Sequence, residues 1–437
     1  MLKTKFRQLI VWLLRAEARL VIKRYRPKII GVSGNVGKTS TKDAIFSLLK
    51  QSNYKVQRSV KSYNSEIGIP LTILGLPNAW SNPAKWLVNL LRGLWLGLAP
   101  HPYPEWLVLE VGADRPGDIA DIVSWLRFDM VVMTRLPTQA VHSEFFPSPE
   151  ALIAEKLLLP RSVTETGTVI LNADDPAIMA VAPQLKARVI TFGLNGEATV
   201  RASHLHLLTE PAFGLSWPVP VGLAFKLDYQ GHTVPFRVTG PIGEHQILAL
   251  LGAISVGLVL NINLVELTER LSQLVPPPGR LRVLAGLKGT VILDDSYNAS
   301  PAALQAALTV LAELRIPGRK IAVLGDMLEL GVFTIDAHRE AGSLAARISD
   351  VLITIGVRAK FISEEALKKR FGKRRQYHFD DSLTAGKWLQ NFIEPGDVIL
   401  VKGSQSMRLE RVVEEIMAEP ERKKDLLCRQ EPEWLKR

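Results

Sequence analysis

From Lys28 onward the chain alternates short unbroken apolar runs with amphipathic stretches. The runs "KIIGVSG", "WLVLEVG", "DMVVMT", "GTVILN" and "RVITFG" carry no polar/apolar alternation. That pattern predicts parallel strands buried on both faces. Residues 118–127 and 150–160 between them have helical spacing and predict crossover helices, so the first half is an α/β sheet. Residues 197–240 instead alternate in "TVRASHLHLL", "AFKLDY" and "TVPFRVTG", which predicts a small β-rich insert before the helix "HQILALLGAISVGLVL". "LVPPPGRLR", 274–282, reads as a linker, because three consecutive prolines suit neither a helix nor a central strand. A second series of runs follows ("TVILDD", "KIAVLGD", "DVLITIG", "DVILVKG") and closes with an amphipathic helix near 407–418. The expected division is a lead helix (1–27), a nucleotide-binding domain (28–277), a second doubly wound domain (278–420) and a charged tail (421–437).

Two further patterns precede or interrupt this series. Phe6, Leu9, Ile10, Leu13, Ala16 and Leu20 recur at helical spacing, with basic residues on the other face. Residues 79–106 are apolar and rich in tryptophan, and Trp86–Leu98 predicts an amphipathic helix. The run "LIVWLL" is far shorter than the roughly 20 residues of a membrane span. Each segment therefore admits two readings, packing on the body of the protein or lying on an anionic membrane surface.

Charge sharpens the picture of the lead segment. The net charge is +11 over 437 residues, and residues 1–28 hold nine Lys/Arg against Glu17, a balance of +8. The other 409 residues stand at only +3. High overall pI is thus a local property, and no nucleic-acid partner is expected. The single cysteine, Cys428, excludes an intramolecular disulfide and argues for a reducing, cytoplasmic compartment.

The candidate chemistry is concentrated in "GVSGNVGKTSTKDA", residues 31–44. An apolar strand runs through a glycine-rich turn into a helix starting near Lys38. Gly34 and Gly37 let backbone amides approach phosphate oxygens, Lys38 bridges terminal phosphates, and the Thr39 hydroxyl suits Mg²⁺. No Asn-Lys-x-Asp element for reading a guanine base occurs, which excludes a regulatory GTPase.

Further strings place the chain more narrowly. "SYNSEIGIPLT" (62–72), "LEVGADRPGDI" (109–119), His142, "AEKLLL" (154–159), "LNADDP" (171–176) and "GEHQILALLGA" (243–253) follow the phosphate loop in a fixed order. With that loop they resemble the Mur ligase family, ATP-dependent amide-bond ligases of peptidoglycan synthesis. "ILDDSYNASPAALQAAL" (292–308), "AVLGDMLELG" (322–331) and "VKGSQSMRLERVV" (401–413) resemble the branch that adds D-alanyl-D-alanine to a UDP-linked muramoyl tripeptide.

The resemblance implies a P-loop central domain followed by a Rossmann-like C-terminal domain. It implies catalytic roles for Lys38, Glu110, His142 and Lys156, and Mg²⁺ ligation by Thr39, Glu110, His142 and a carbamylated Lys156. ATP contacts are implied for Ser33, Gly34, Asn35, Val36, Gly37, Lys38, Thr39, Ser40, His245, Gln246, Arg280, Asp295 and Asn298. Asn64, Ser65, Asp326, Glu329, Lys402 and Ser404 are implied to meet the peptide substrates. The reaction it implies runs through an acyl phosphate, in a monomer.

The sequence departs from the family in four places. Only about 28 residues precede the first strand, where the branch carries a UDP-binding domain. Val36 stands in the loop where Asn is common, Gln246 and Ala249 replace two further asparagines, and 79–106 is an insertion. Two rivals follow: a sister ligase with another acid and amine, or a membrane-peripheral ATP switch that makes no bond.

Overall fold

The computed structural model describes residues 2–59, 63–80, 82–136 and 145–436, with side chains from Arg7 onward. Helix α1 (Leu2–Tyr25) leads into strand β1 (Lys28–Ser33), α2 (Lys38–Gln51), β2 (Val56–Arg58), α3 (Gly68–Leu74), α4 (Pro83–Leu98) and β3 (Trp106–Glu110). There follow α5 (Asp118–Trp125), β4 (Met130–Met133), α6 (Pro149–Arg161), β5 (Thr168–Asn172), α7 (Pro176–Met179) and β6 (Arg188–Gly193). Next come β7 (Val200–Pro211), β8 (Pro218–Tyr229), β9 (His232–Thr239), α8 (Glu244–Val259) and α9 (Leu264–Arg270). Among the described residues the nine strands form one sheet, ordered β2-β3-β1-β4-β5-β6-β7-β8-β9. It is parallel from β2 through β7, and β8 and β9 continue it as antiparallel strands.

The apolar runs are buried as their lack of alternation requires; β3, β4 and β5 are inaccessible along their whole length. One face is covered by α1, α3, α4, α5 and α6, the other by α2, α8 and α9. The expected β-rich insert is present as β7, β8 and β9, which prolong the main sheet. Phe225 stacks on Phe236 at 4.9 Å beneath them.

The second sheet is ordered β10-β11-β15-β12-β13-β14. Its strands are β10 (Arg282–Gly286), β11 (Thr290–Asp295), β12 (Lys320–Gly325), β13 (Val351–Ile355), β14 (Gln376–Phe379) and β15 (Val398–Lys402). Helices α10 (Pro301–Glu313), α11 (Thr334–Ile348), α12 (Lys360–Lys368), α13 (Ser382–Phe392) and α14 (Glu410–Ile416) cover both faces. The edge strands β10 and β14 carry no long apolar run, and periodicity alone did not mark them. The residues after α14 are not a solvated tail. Leu426, Leu427 and Cys428 are buried, and Arg429 makes a buried pair with Glu410 at 2.9 Å. The short apolar string "LLC" outweighs its charged neighbours.

Helix α1 packs on α3 and α4, but not by the expected stripe. Ile10, Val11, Leu14, Ala18 and Val21 are buried, whereas Leu9 and Ala16 are exposed and Leu13 and Leu20 half-buried. The Phe6 side chain lies outside the described residues. Apolar residues occupy two faces of this helix, so spacing alone does not choose between them; contact with α3 and α4 does. Among the described residues no helix is long and apolar enough to cross a membrane.

Candidate active site

Strand β1 lies between β3 and β4, where the direction of the winding reverses, and its carboxyl end is the crevice in which an open α/β sheet binds ligands. The turn 33–37 leaves β1 there and enters α2. Gly34 has φ +140°, and a side chain on it would run into the Thr134 hydroxyl and the Arg135 backbone. Thr134 Oγ1 donates to the carbonyl oxygens of Val36 at 2.7 Å and Ser33 at 3.1 Å. The Asn35 amide donates to the Arg135 carbonyl. Asn172 Nδ2, buried at the end of β5, donates to the Thr134 carbonyl. The loop is thereby braced from the ends of β4 and β5.

The charged side chains of the site converge on this loop. Lys38 Nζ donates to the carbonyls of Gly34 and Asn35 at 3.1 and 3.2 Å. Lys156, from α6 and 2% exposed, donates to the Gly34 carbonyl at 3.1 Å. Thr39 Oγ1 donates to Glu110 Oε2 at 3.0 Å. Lys42, fully buried one turn after Lys38, donates to the Ser59 carbonyl at 2.9 Å and lies 3.8 Å from Glu110 Oε2. Lys38 and Lys156 thus meet at the Gly34 carbonyl, while Thr39 and Lys42 meet at Glu110, so amines and a carboxylate lie together beside the glycine turn.

Burial pushes the Lys38 ammonium below its ordinary pKa, although Glu110 opposes the shift. Lys156 is pushed down to about 7, first by burial and then by the nearby Lys38 charge. Near neutral pH a large share of Lys156 is therefore the free amine, the form that adds carbon dioxide.

Among the described residues no three His, Cys, Asp or Glu side chains cluster as a metal cage. The donors present, a hydroxyl and a carboxylate, are hard oxygen ligands suited to Mg²⁺, which keeps waters and takes phosphate oxygens as further ligands. His142 lies outside the described residues. Asn64 sits beside this cluster, its carbonyl accepting from the Gly112 amide at 3.2 Å just past Glu110, while Ser65 is exposed and its carbonyl accepts from Ile69 in α3.

A second group gathers where α8, the linker and β11 meet. Gln246 Oε1 accepts from the Ile242 and Gly243 amides at 2.6 and 3.1 Å, and its Nε2 donates to the Arg280 carbonyl at 3.0 Å. Its amide is fully engaged with backbone, so it closes the start of α8 and clips the linker. Arg280 stacks over the Tyr297 ring at 4.1 Å. Lys402 Nζ donates to Asp295 Oδ2 at 2.6 Å and to the Asn298 carbonyl at 2.9 Å, while Asp295 Oδ1 accepts from the Leu281 amide at 3.1 Å. Asp294 is likewise buried, accepting from Ser296 and Gly279, and burial raises it to about 6. Half-buried His245 faces Asp295, Lys402 and Arg280; desolvation pushes it down to about 4, and its shielded Nδ1 has no hydrogen-bond partner among the described residues.

Between α2, the start of α8 and the linker lies an open cavity of about 760 Å³, lined by Ser40, Phe46, Arg58, Gln246, Ala249 and Arg282 among others. It adjoins the phosphate loop through Ser40.

The third group is the turn after β12. Asp326 Oδ1 accepts from the Ala359 amide at 2.7 Å and its carbonyl from the Ser404 amide at 2.9 Å. Ser404 Oγ accepts from the Leu328 amide at 2.8 Å, and Glu329 holds a left-handed φ of 62°. His338, fully buried on α11, accepts from the Met327 amide through Nε2 at 3.0 Å. Sequence reasoning did not single out Lys42, Thr134, Asn172 or His338. Lys42 had a signal, standing one helical turn from Lys38; the others are visible only through contacts with distant segments.

Residues 96–257 match the Mur ligase middle domain, and 279–405 match the Mur ligase glutamate ligase domain. The UDP-N-acetylmuramoyl-tripeptide–D-alanyl-D-alanine ligase of Mycobacterium leprae is 30% identical over 405 residues, covering 87% of this chain and 72% of that protein. The ligase of the same name from Bacillus subtilis is 28% identical over 410 residues, with 93% and 79% covered. The crystal structure of the MurF ligase of Thermotoga maritima, in complex with ADP, superposes with a TM-score of 0.74 at 26% identity, covering 94% of this chain and 84% of that one. With matches to the middle and glutamate ligase domains in that order, and a relative of that family 30% identical over most of the chain, the chain belongs to the Mur ligase family.

Proposed function

We propose that the protein is an ATP-dependent, ADP-forming ligase that joins D-alanyl-D-alanine to the terminal carboxylate of a UDP-linked muramoyl tripeptide. The carrying observation is that Lys38 and Lys156 both donate to the Gly34 carbonyl of the glycine turn, with Thr39 and Lys42 on Glu110 beside it. The names of the relatives supply the substrates.

Amide formation from a carboxylate and an amine is uphill in water, so the acid must first become a better electrophile. The carboxylate oxygen attacks the γ-phosphorus of ATP, ADP leaves, and an acyl phosphate results. The amine then adds to the acyl carbon, loses a proton, and expels inorganic phosphate. The obstacle is repulsion between two anions. Lys38 and the amides at the start of α2 hold the transferring phosphoryl group and spread its charge. Mg²⁺ would be held by Thr39 and Glu110, with His142 and a carbamylated Lys156 as further ligands, and would supply further charge neutralisation.

The loop residues Ser33 to Ser40 serve the phosphates, and the cavity beside Ser40, with Gln246 and Ala249 on its wall, takes the base. His245, Arg280, Asp295 and Asn298 complete the nucleotide side at the linker. Asn64, Ser65, Lys402 and Ser404 face the acid substrate, and Asp326 and Glu329 the ammonium of the dipeptide. Catalysis takes place in the cytoplasm, with peripheral contact to a membrane as argued below.

Mass spectrometry of a reaction containing ATP, Mg²⁺, UDP-muramoyl tripeptide and D-Ala-D-Ala tests the reading. A UDP-muramoyl pentapeptide formed together with ADP is the expected result. ATP hydrolysis indifferent to both substrates would refute it.

A further inference from the structure

Helices α1 and α4 lie side by side and run the same way. A side chain at Gly93 would collide with Glu17 and one at Gly97 with Leu20, while Arg24 donates to the Leu98 carbonyl at 3.1 Å and Tyr25 to those of Leu96 and Ala99 at 3.0 Å. Their inner faces are closed against the body: Ile10, Leu14 and Val21 on one, Trp86, Asn89, Gly93 and Gly97 on the other. Their outer faces expose large apolar side chains, on α1 among basic residues such as Arg7, Arg19 and Lys23. On α4, Leu87, Leu91, Leu94 and Leu98 are 45 to 61% exposed at helical spacing, and Trp95 is 69% exposed. On α1, Leu9 and Trp12 are 52% and 65% exposed. A groove of about 400 Å³ on the far side of α4 is lined by Leu74, Val88, Leu91, Arg92 and Trp95 among others.

So large an apolar surface on two adjacent helices is a contact surface. We infer that it docks on an anionic lipid bilayer, with both helices lying in the plane of the interface. Charge decides the occupant. Residues 1–28 carry +8, and Arg7, Lys23, Arg26, Lys85 and Arg92 are exposed along the two helices. Acidic headgroups complement this rim, and indole rings such as Trp12 and Trp95 favour the headgroup boundary. A second copy of the chain is the poorer partner, because a two-fold contact through this face would set the two +8 segments against each other. The inference rests on this surface alone and is independent of the ligase reading.

The experiment is sedimentation of the full-length protein with phosphatidylcholine vesicles and with vesicles also containing phosphatidylglycerol. The protein is expected to pellet with the second kind only, with a blue shift in tryptophan emission, and to be released by high salt. The double variant Leu91→Gln/Trp95→Gln changes two exposed residues. It should weaken vesicle binding by roughly tenfold or more while leaving the thermal unfolding transition and ATP turnover in place. Failure to pellet with phosphatidylglycerol vesicles at low salt would overturn the inference. So would undiminished binding by the double variant, or a wild-type dimer that the variant converts to monomer without any vesicle binding.

Discussion

At the scale of single residues, the buried amines of the phosphate site are the most informative groups. Lys156 is held near pKa 7 by burial beside Lys38, so its free-amine fraction grows as pH rises through that value and falls below it. If the carbamate forms there, activity should require added bicarbonate most strongly below pH 7 and least above pH 8. Lys156→Ala should lower kcat by on the order of 10²- to 10³-fold, with ADP affinity changed far less; partial recovery by a short free carboxylate would confirm the role, and undiminished turnover would exclude it. Thr134 does different work, since its hydroxyl donates only to loop carbonyls. Thr134→Val leaves the Val36 carbonyl unpaired and should cost about 1 to 2 kcal/mol in unfolding free energy. It should raise the KM for ATP more than it lowers kcat, a split that steady-state kinetics resolves.

At the scale of elements, the seam between α1 and α4 contains a titratable group with no charged partner. Glu17 is 8% exposed against Gly93, its Oε2 makes no hydrogen bond, and burial raises it to about 7 from 4.5. A carboxyl that is harder to ionise when folded stabilises the fold relative to its ionised form at low pH. That advantage is lost as pH rises from about 4.5 through about 7. Glu17→Gln should therefore match the parent protein near pH 4.5 and exceed it at pH 8 by on the order of 2 kcal/mol in denaturant unfolding. Equal stability of the two proteins at pH 8 would show that the seam opens to admit water.

For the whole molecule, the linker is where the two sheets are tied. Gln246 of the central domain holds the Arg280 carbonyl, Asp294 and Asp295 hold the amides of Gly279 and Leu281, and Lys402 neutralises Asp295. Residues from both domains thus define one polar junction, with His245 beside Asp295, Lys402 and Arg280. Asp295→Asn should destabilise the protein by about 3 kcal/mol by leaving Lys402 buried without its counter-charge, whereas Asp295→Leu/Lys402→Met should recover most of that stability. If the pair also serves substrates, the double variant will be stable yet inactive, and a melting curve beside a turnover assay separates the two effects. A fully active double variant would confine both residues to structure.

Much of the molecule was legible from spacing and local motif. Unbroken apolar runs such as those at 106–112 and 129–134 locate central strands because both faces of such strands are buried. The strand–turn–helix around the glycine loop was legible because its geometry is contained in one short segment. The linker at 274–282 is visible for the same reason, proline acting on its own neighbours. What remained hidden depends on residues far apart in the chain. The edge strands β10 and β14, the continuation of the main sheet through β9, and the burial of 426–429 follow from pairing that no window of sequence contains. Likewise the hold of Gln246 on the Arg280 carbonyl and the pairing of Lys402 with Asp295 on the neighbouring strand join residues 34 and 107 positions apart, which no local window contains. Helix α1 illustrates the general reason. Its periodicity establishes a helix with two apolar sides, and only the neighbours it meets on folding select which side is covered and which is left facing outward.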